Sequence, residues 1–305
     1  MSVVGPEQLA ALRPGRGGPG PPRLRLPGPG LLRALWRSRN GRIGVVLVGL
    51  VVLGALASAL GLSPYNPQSE DAGAVLKGVS LNHPFGTDQF GRDVLSLSLQ
   101  GIGVSLEIAF IATLIAGGVG TLGGIVAGYL GGFTSTVILR ASDIVFAIPA
   151  ILLALAIVTA LGPGILDSAL AIGVGYVPIF VRVVRAPVLA LRNADFVRAG
   201  RVLGFSRTRL LARHILPSVY GAVAVQASLA LAWAILAEAS LSFLGLGPPP
   251  PTASLGEMVS DSSSLAGFAW WTLAGPSLAI VLAVIGFNFL GDGLRDAADP
   301  RSRRS

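Results

Sequence analysis

The side chains that could carry out covalent chemistry in this sequence are few, and their positions keep them apart. His83 and His214 are the only histidines, Lys77 is the only lysine, and there is no cysteine. A protease working inside a membrane needs a buried Ser and His, or a pair of membrane-embedded aspartates. The two histidines fall in segments on opposite sides of the apolar runs, so they cannot complete such a site together. A nucleotide-hydrolysing chain needs G-x-x-x-x-G-K-[ST], whose backbone N–H groups and lysine hold phosphates. Lys77 stands in no such pattern, so the chain cannot be its own motor. Without cysteine there is no thiol nucleophile, no disulfide framework and no Cys-ligated zinc. No cluster of His, Cys and Met is present to hold a soft metal, and no metal ligand set is assigned.

Glu107, Asp143 and Glu238 remain, in or at the ends of apolar runs, where an ionisable group is costly and usually faces a cavity or a partner. Asp143 follows Arg140 at i, i+3 and is expected to pair with it. Glu238, with Ser240 and Ser242 close by, reads equally as part of a polar path through the membrane or as a helix-packing group. In FGTDQFGRD, Asp88, Arg92 and Asp93 could form an outer gate or a contact for an external protein. The competing reading is a turn whose aspartates cap the next helix. GVGYV at Gly173 to Val177 has the letters of a potassium filter, but it lies inside an apolar run with no pore helix before it.

These groups must be positioned by helices in a bilayer. The 305 residues are 52% hydrophobic and 12% charged, far more apolar surface than one soluble core needs. Helical spans need about 17 to 25 apolar residues each. Six such runs are predicted: Ile43 to Leu62, Ile102 to Ala127, Val137 to Leu161, Ile165 to Val181, Val219 to Leu241 and Leu273 to Leu290. No alternating pattern suggests a barrel, so the predicted fold is an all-α integral membrane protein.

The net charge of +8 acquires meaning from its distribution. Of the 23 Lys and Arg, eight precede residue 43, Arg140 follows, eight run from Arg182 to Arg213, and four lie from Arg295 to Arg304. Only Lys77 and Arg92 fall on the other side. Basic residues cluster on the cytoplasmic side of membrane proteins, so both termini are expected there and nucleic acid is not an expected partner. The predicted order is a basic Pro/Gly-rich tail (1–42), an N-terminal span (43–62), an extracytoplasmic segment (63–101), a core (102–291) with a cytoplasmic loop (182–218), and a basic C-terminus (292–305). The tail is too polar to fold alone, and its length argues against a cleaved signal before Ala57 to Ala59. Gly120, Gly124 and Gly128 form a stripe that admits a close neighbour, within the bundle or at a subunit interface.

The loop contains FVRAGRVLGFSRTRLLARHILP. Eight arginines from Arg182 to Arg213 would cost on the order of 20 kcal/mol inside a bilayer. Phe196, Ala199 and Leu203 follow helical spacing, Gly204 breaks that helix, and Ser206 can cap a second one carrying Leu210, Leu211, His214 and Ile215. Pro217 marks the turn into the next span. Such a helix–turn–helix unit is expected to dock a partner, with a helix on anionic lipid as the other reading.

This loop resembles the coupling loop of ATP-binding-cassette importer permeases: Glu-Ala-Ala, three residues, Gly, nine residues, Ile-x-Leu-Pro. Ala199, Gly204, Leu216 and Pro217 match; Arg198, Gly200 and His214 depart from it. HPFGTDQFGRDVLS from His83, SDIVFAIPAILLAL from Ser142, ILAEASLSFLGLG from Ile235 and FNFLGDGLRDAADPR from Phe287 resemble the dipeptide, oligopeptide and nickel branch, in particular its second permease subunit. The resemblance implies a five-helix, MetI-like permease core plus one N-terminal helix in a prokaryotic cell membrane. It implies a homologous permease, two cytosolic ATPases that bind ATP and Mg, an extracytoplasmic solute-binding protein and a short peptide as substrate, with no cofactor in this chain. Phe196, Arg198, Ala199, Gly200, Leu203, Gly204, Leu216 and Pro217 would form the ATPase-coupling element. Nickel or another small solute remains open as cargo, and a non-transporting membrane scaffold or receptor is the reading from another class.

Overall fold

The computed structural model describes residues 35–36 and 38–298, so the expected tail before residue 35 and the last basic residues, 299–305, lie outside it. Helix α1 (Arg39–Ala59) starts four residues before the apolar run, because Ser38 accepts a hydrogen bond from the Gly41 N–H at 2.9 Å and caps it. Helix α2 (Val94–Leu130) has 37 residues and is capped by Asp93. At about 1.5 Å per residue it is roughly 55 Å long, well beyond the hydrocarbon thickness of about 30 Å.

Helices α3 (Gly132–Ala147) and α4 (Ala150–Leu161) occupy the third predicted span, but they meet at 87°. Pro149 is the cause: it has no N–H to donate and pushes Ile148 into extended backbone, φ −93° and ψ 129°. Helix α5 (Ile165–Leu191) continues ten residues past the predicted end of its run, so Arg182 and Arg185 stand on a helix, not in a loop. Two short helices follow, α6 (Asp195–Val202) and α7 (Arg207–Leu210). A π-turn from Leu211 to Ile215 then leads into α8 (Leu216–Phe243), and α9 (Leu255–Ser263) and α10 (Trp270–Ala298) complete the chain. Among the described residues, five helices are long and apolar enough to cross a membrane, six if the bent pair is one span. No strand is present among the described residues, only an isolated bridge between Thr87 and Asp93.

Packing centres on α2 and α5. A Cβ on Gly120 would stand 2.4 Å from Phe180 Cβ, one on Gly124 would stand 2.7 Å from the Val181 carbonyl oxygen, and one on Gly128 would stand 2.8 Å from Val188 Cβ. The glycine stripe therefore serves contact within this chain. Helix α1 uses the same device against α10: Cβ atoms on Gly44 and Gly293 would meet Leu290 N at 2.3 Å and Gly41 Cα at 2.4 Å. The GVGYV segment is helical, within α5, where Gly173 lets the Ala112 carbonyl approach.

A Cβ on Gly118 of α2 would meet no atom within 4 Å, whereas one on Gly124 would run into backbone. Gly124→Leu is expected to lower stability by about 3 kcal/mol and Gly118→Leu to leave it nearly unchanged, as read by thermal unfolding of the detergent-solubilised chain.

Candidate functional site

At the Arg-rich end, α6 turns one face inward. Val197 is fully buried beside Val184, Val188, Ile215 and Val219, and Gly200 sits under Leu210. A Cβ on Gly200 would lie 2.7 Å from Leu210 Cδ2, so the small residue allows α6 and α7 to close on each other. Phe196, Ala199 and Leu203 face outward, joined by Val202, which is 88% exposed. Gly204 has φ +76°, a left-handed turn that a residue with a Cβ adopts only at a cost of about 1 kcal/mol. Ser206 accepts from the Arg209 N–H at 3.3 Å and caps α7. His214 lies between the Phe196 and Phe205 rings, 6.3 Å from each. Arg201 lies over Tyr129 at 5.2 Å and Arg209 over Phe205 at 4.5 Å.

Three expectations at this end need correction. Asp143 pairs with Arg182 of α5 at 2.8 Å, across helices, not with Arg140. Pro217 does not mark a turn, because the helix runs on through it. Pro217 cannot donate to the carbonyl four residues back, and its ring would crowd that carbonyl. The π-turn, in which the Leu216 N–H reaches Leu211 O, loosens the ladder just before it. The segment 182–191 is the end of α5.

Glu238 of α8 is 1% exposed. Its carboxylate accepts from Ser105 of α2 at 2.5 Å, from Ser242 at 2.8 Å and from Ser254 ahead of α9 at 3.0 Å. One carboxylate thus ties together α2, α8 and the segment entering α9. Of the residues expected to share a path, Glu238 and Ser242 come together, while Ser240 turns away and donates to Leu236 O at 2.7 Å. Ser105 and Ser254 were not legible as partners, since neither lies near Glu238 in sequence. Glu107 points outward from α2 and is exposed.

At the opposite end, Asp88 accepts from the Phe90 and Arg92 N–H groups at 2.8 and 2.9 Å and from Arg92 Nε at 2.7 Å. Asp93 accepts from Ser96 N–H and Oγ at 2.8 and 2.7 Å and faces His83 Nδ1 at 3.0 Å. Both aspartates therefore act as caps and anchors of a tight turn. Thr87 Oγ1 donates to Ala74 O, and Trp271 Nε1 donates to Thr87 O at 3.1 Å, which fastens the turn to α10. Arg92 also borders a hollow of about 70 Å³ with Gln68, Glu257 and Asp261. Burial raises the pKa of Glu257, helped by Asp261 and opposed by Arg92. Burial likewise raises that of Asp261, with Arg92 opposing and Asp88 adding.

Comparison with known proteins places this architecture. Residues 120–304 match the family described as "Binding-protein-dependent transport system inner membrane component". The chain belongs to this family. A putative peptide transport system permease protein of Brucella suis biovar 1 is 41% identical over 273 residues, 88% of this chain and 90% of the relative. A dipeptide transport system permease protein of Alkalihalophilus pseudofirmus is 40% identical over 275 residues, 89% of each chain. A glutathione transport system permease protein of Pectobacterium atrosepticum is 37% identical over 273 residues, 88% and 91%. The chain is accordingly a multi-pass membrane permease component.

Glu238→Ala would leave three serine hydroxyls without their acceptor and open a cavity. It is expected to cost about 3 kcal/mol, while Glu238→Gln retains an acceptor oxygen and most of the packing and loses less; thermal unfolding in detergent measures both. For α9, a raised folded-state pKa means stability that is full below the unfolded carboxylate pKa and lost as pH rises through the folded value. The protection factors of the α9 amides, exchange corrected for its intrinsic pH dependence, should therefore rise on acidification through the carboxylate range, and Glu257→Gln should flatten that dependence.

Proposed function

We propose that the chain is the second of two homologous permease subunits of an importer that moves short peptides inward across a prokaryotic inner membrane. Two cytosolic ATP-binding-cassette ATPases, which hold ATP and Mg, supply the energy, and an extracytoplasmic solute-binding protein delivers the peptide. Both termini are cytoplasmic on this reading, since 21 of the 23 basic residues share one side. The peptide cargo is supported by relatives named for dipeptide, di/tripeptide and glutathione transport.

The observation that carries the coupling role is the outward apolar face of α6, with Phe196, Ala199, Val202 and Leu203 exposed at the tip of the Arg-rich end. An ATPase cleft that grips this face would transmit its closure through α5 on one side and α8 on the other. Val197 and Ile215, both fully buried, join α6 to those helices. Glu238 and its serines would then act as the fixed clamp against which the helices rock, and Asp88, Arg92 and Asp93 would shape the outer surface offered to the binding protein.

The test is the complex in proteoliposomes supplied with a labelled dipeptide, the binding protein and ATP. Wild type should accumulate peptide, and Gly204→Val or Ala199→Asp should cut uptake by about tenfold or more, the equivalent of losing about 1.4 kcal/mol of coupling. Normal assembly and coupled uptake in both variants would remove α6 from the coupling role.

A further inference from the structure

The cytoplasmic tip carries positive charge that the described residues neutralise only in part. Between Arg182 and Pro217 there are eight arginines and a single acidic residue, Asp195. Arg182 is taken by Asp143, Arg185 donates to Ser135 Oγ at 3.3 Å, and Arg201 and Arg209 lie on aromatic rings. Arg198, Arg207 and Arg213 are exposed, and among the described residues no carboxylate forms an ion pair with them. Arg198 is on α6 itself, immediately before Ala199 of the outward apolar face.

Two kinds of surface could receive a helix that is apolar and cationic together: anionic lipid, or an acidic cleft in a protein. Geometry favours the cleft. With Arg182, the first arginine past the apolar run of α5, taken as the edge of the hydrocarbon, Leu191 lies about 13 Å farther along the helix, whereas the headgroup layer adds only about 5 to 8 Å to each side. Arg201 of α6 rests on Tyr129, in the last turn of the long α2, which puts α6 at the far tip of the projecting pair. Its apolar side chains are therefore out of reach of acyl chains, and a membrane-bound helix would leave them in water.

We infer that the ATPase cleft receiving α6 presents acidic side chains to Arg198, so that charge selects which ATPase this permease accepts. This rests on the docking reading above and adds the chemistry of the partner. A charged pair at a contact rim governs association and suppresses wrong partners. An ATPase whose cleft carries a cation at that place should be rejected.

The complex is purified from its own membranes through a tag on this chain. The ATPase subunits that accompany it are stripped off and titrated back onto the permease in nanodiscs of neutral lipid. Arg198→Glu should weaken their binding by about tenfold or more, Arg198→Lys by much less, and binding should weaken as salt rises. Replacing the cleft carboxylate nearest position 198, located by cross-linking, with Lys should restore binding to Arg198→Glu. Unchanged affinity of Arg198→Glu in neutral discs, or a loss that appears only when anionic lipid is present, would overturn the inference. Phe196→Asp separates the two readings: if it also leaves affinity unchanged, docking through α6 itself fails, and if it abolishes binding while Arg198→Glu does not, only the acidic cleft is refuted.

Discussion

The contact on which the rest of the structure depends is the backbone approach of α2 and α5 along Gly120, Gly124 and Gly128. In lipid there is no hydrophobic drive to press one apolar helix on another, so association relies on close van der Waals contact, which small residues permit. Here the approach is tight enough that a Cβ at Gly124 would lie 2.7 Å from a carbonyl oxygen. Both helices are also longer than the hydrocarbon of a bilayer is thick, α2 by far the more so. Because they are locked together, their projecting ends form one support, on which Val184, Val188, Ile125 and Tyr129 build the apolar seat for α6 and the turn beyond it.

That support turns a short and locally weak element into a mechanical one. Helix α6 has eight residues, too few to be stable alone in water. It holds its place through Val197, through Gly200 against Leu210, and through the left-handed Gly204 that aims α7 back at the bundle. With its inner face secured, the outer face is free to bear on another protein. The chain runs from α7 through the π-turn and Pro217 directly into α8, and Val197 and Ile215 pack the unit beside Val184 and Val188 of α5.

The polar groups in the apolar region follow the same economy of position. Glu238 is satisfied by three hydroxyls from three segments, so that a carboxylate deep in the bundle becomes a clamp. Asp88 and Asp93 are occupied by the N–H groups of their own turn. In both cases a buried acceptor is matched with donors, since a buried carboxylate left without them is costly.

The sequence by itself determined the helical class, the number of apolar runs, the break at Gly204 and the cap at Ser206, because each depends on local composition or on a neighbour within one turn. Length and hydropathy alone could not reveal the 87° bend at Pro149, since the two halves together pass as one apolar run and the direction of their axes is not written in composition. Tertiary structure decided every long-range partner. Asp143 passes over Arg140, one turn away, for Arg182 on another helix. Ser105 and Ser254 reach Glu238 from 133 and 16 residues away. Periodicity places Phe196, Ala199 and Leu203 on one stripe, but whether that stripe faces in or out depends on what α2, α5 and α8 bring beneath it. They bring a seat shaped for Val197, Leu210 of α7 closes on Gly200, and so the stripe is left facing out.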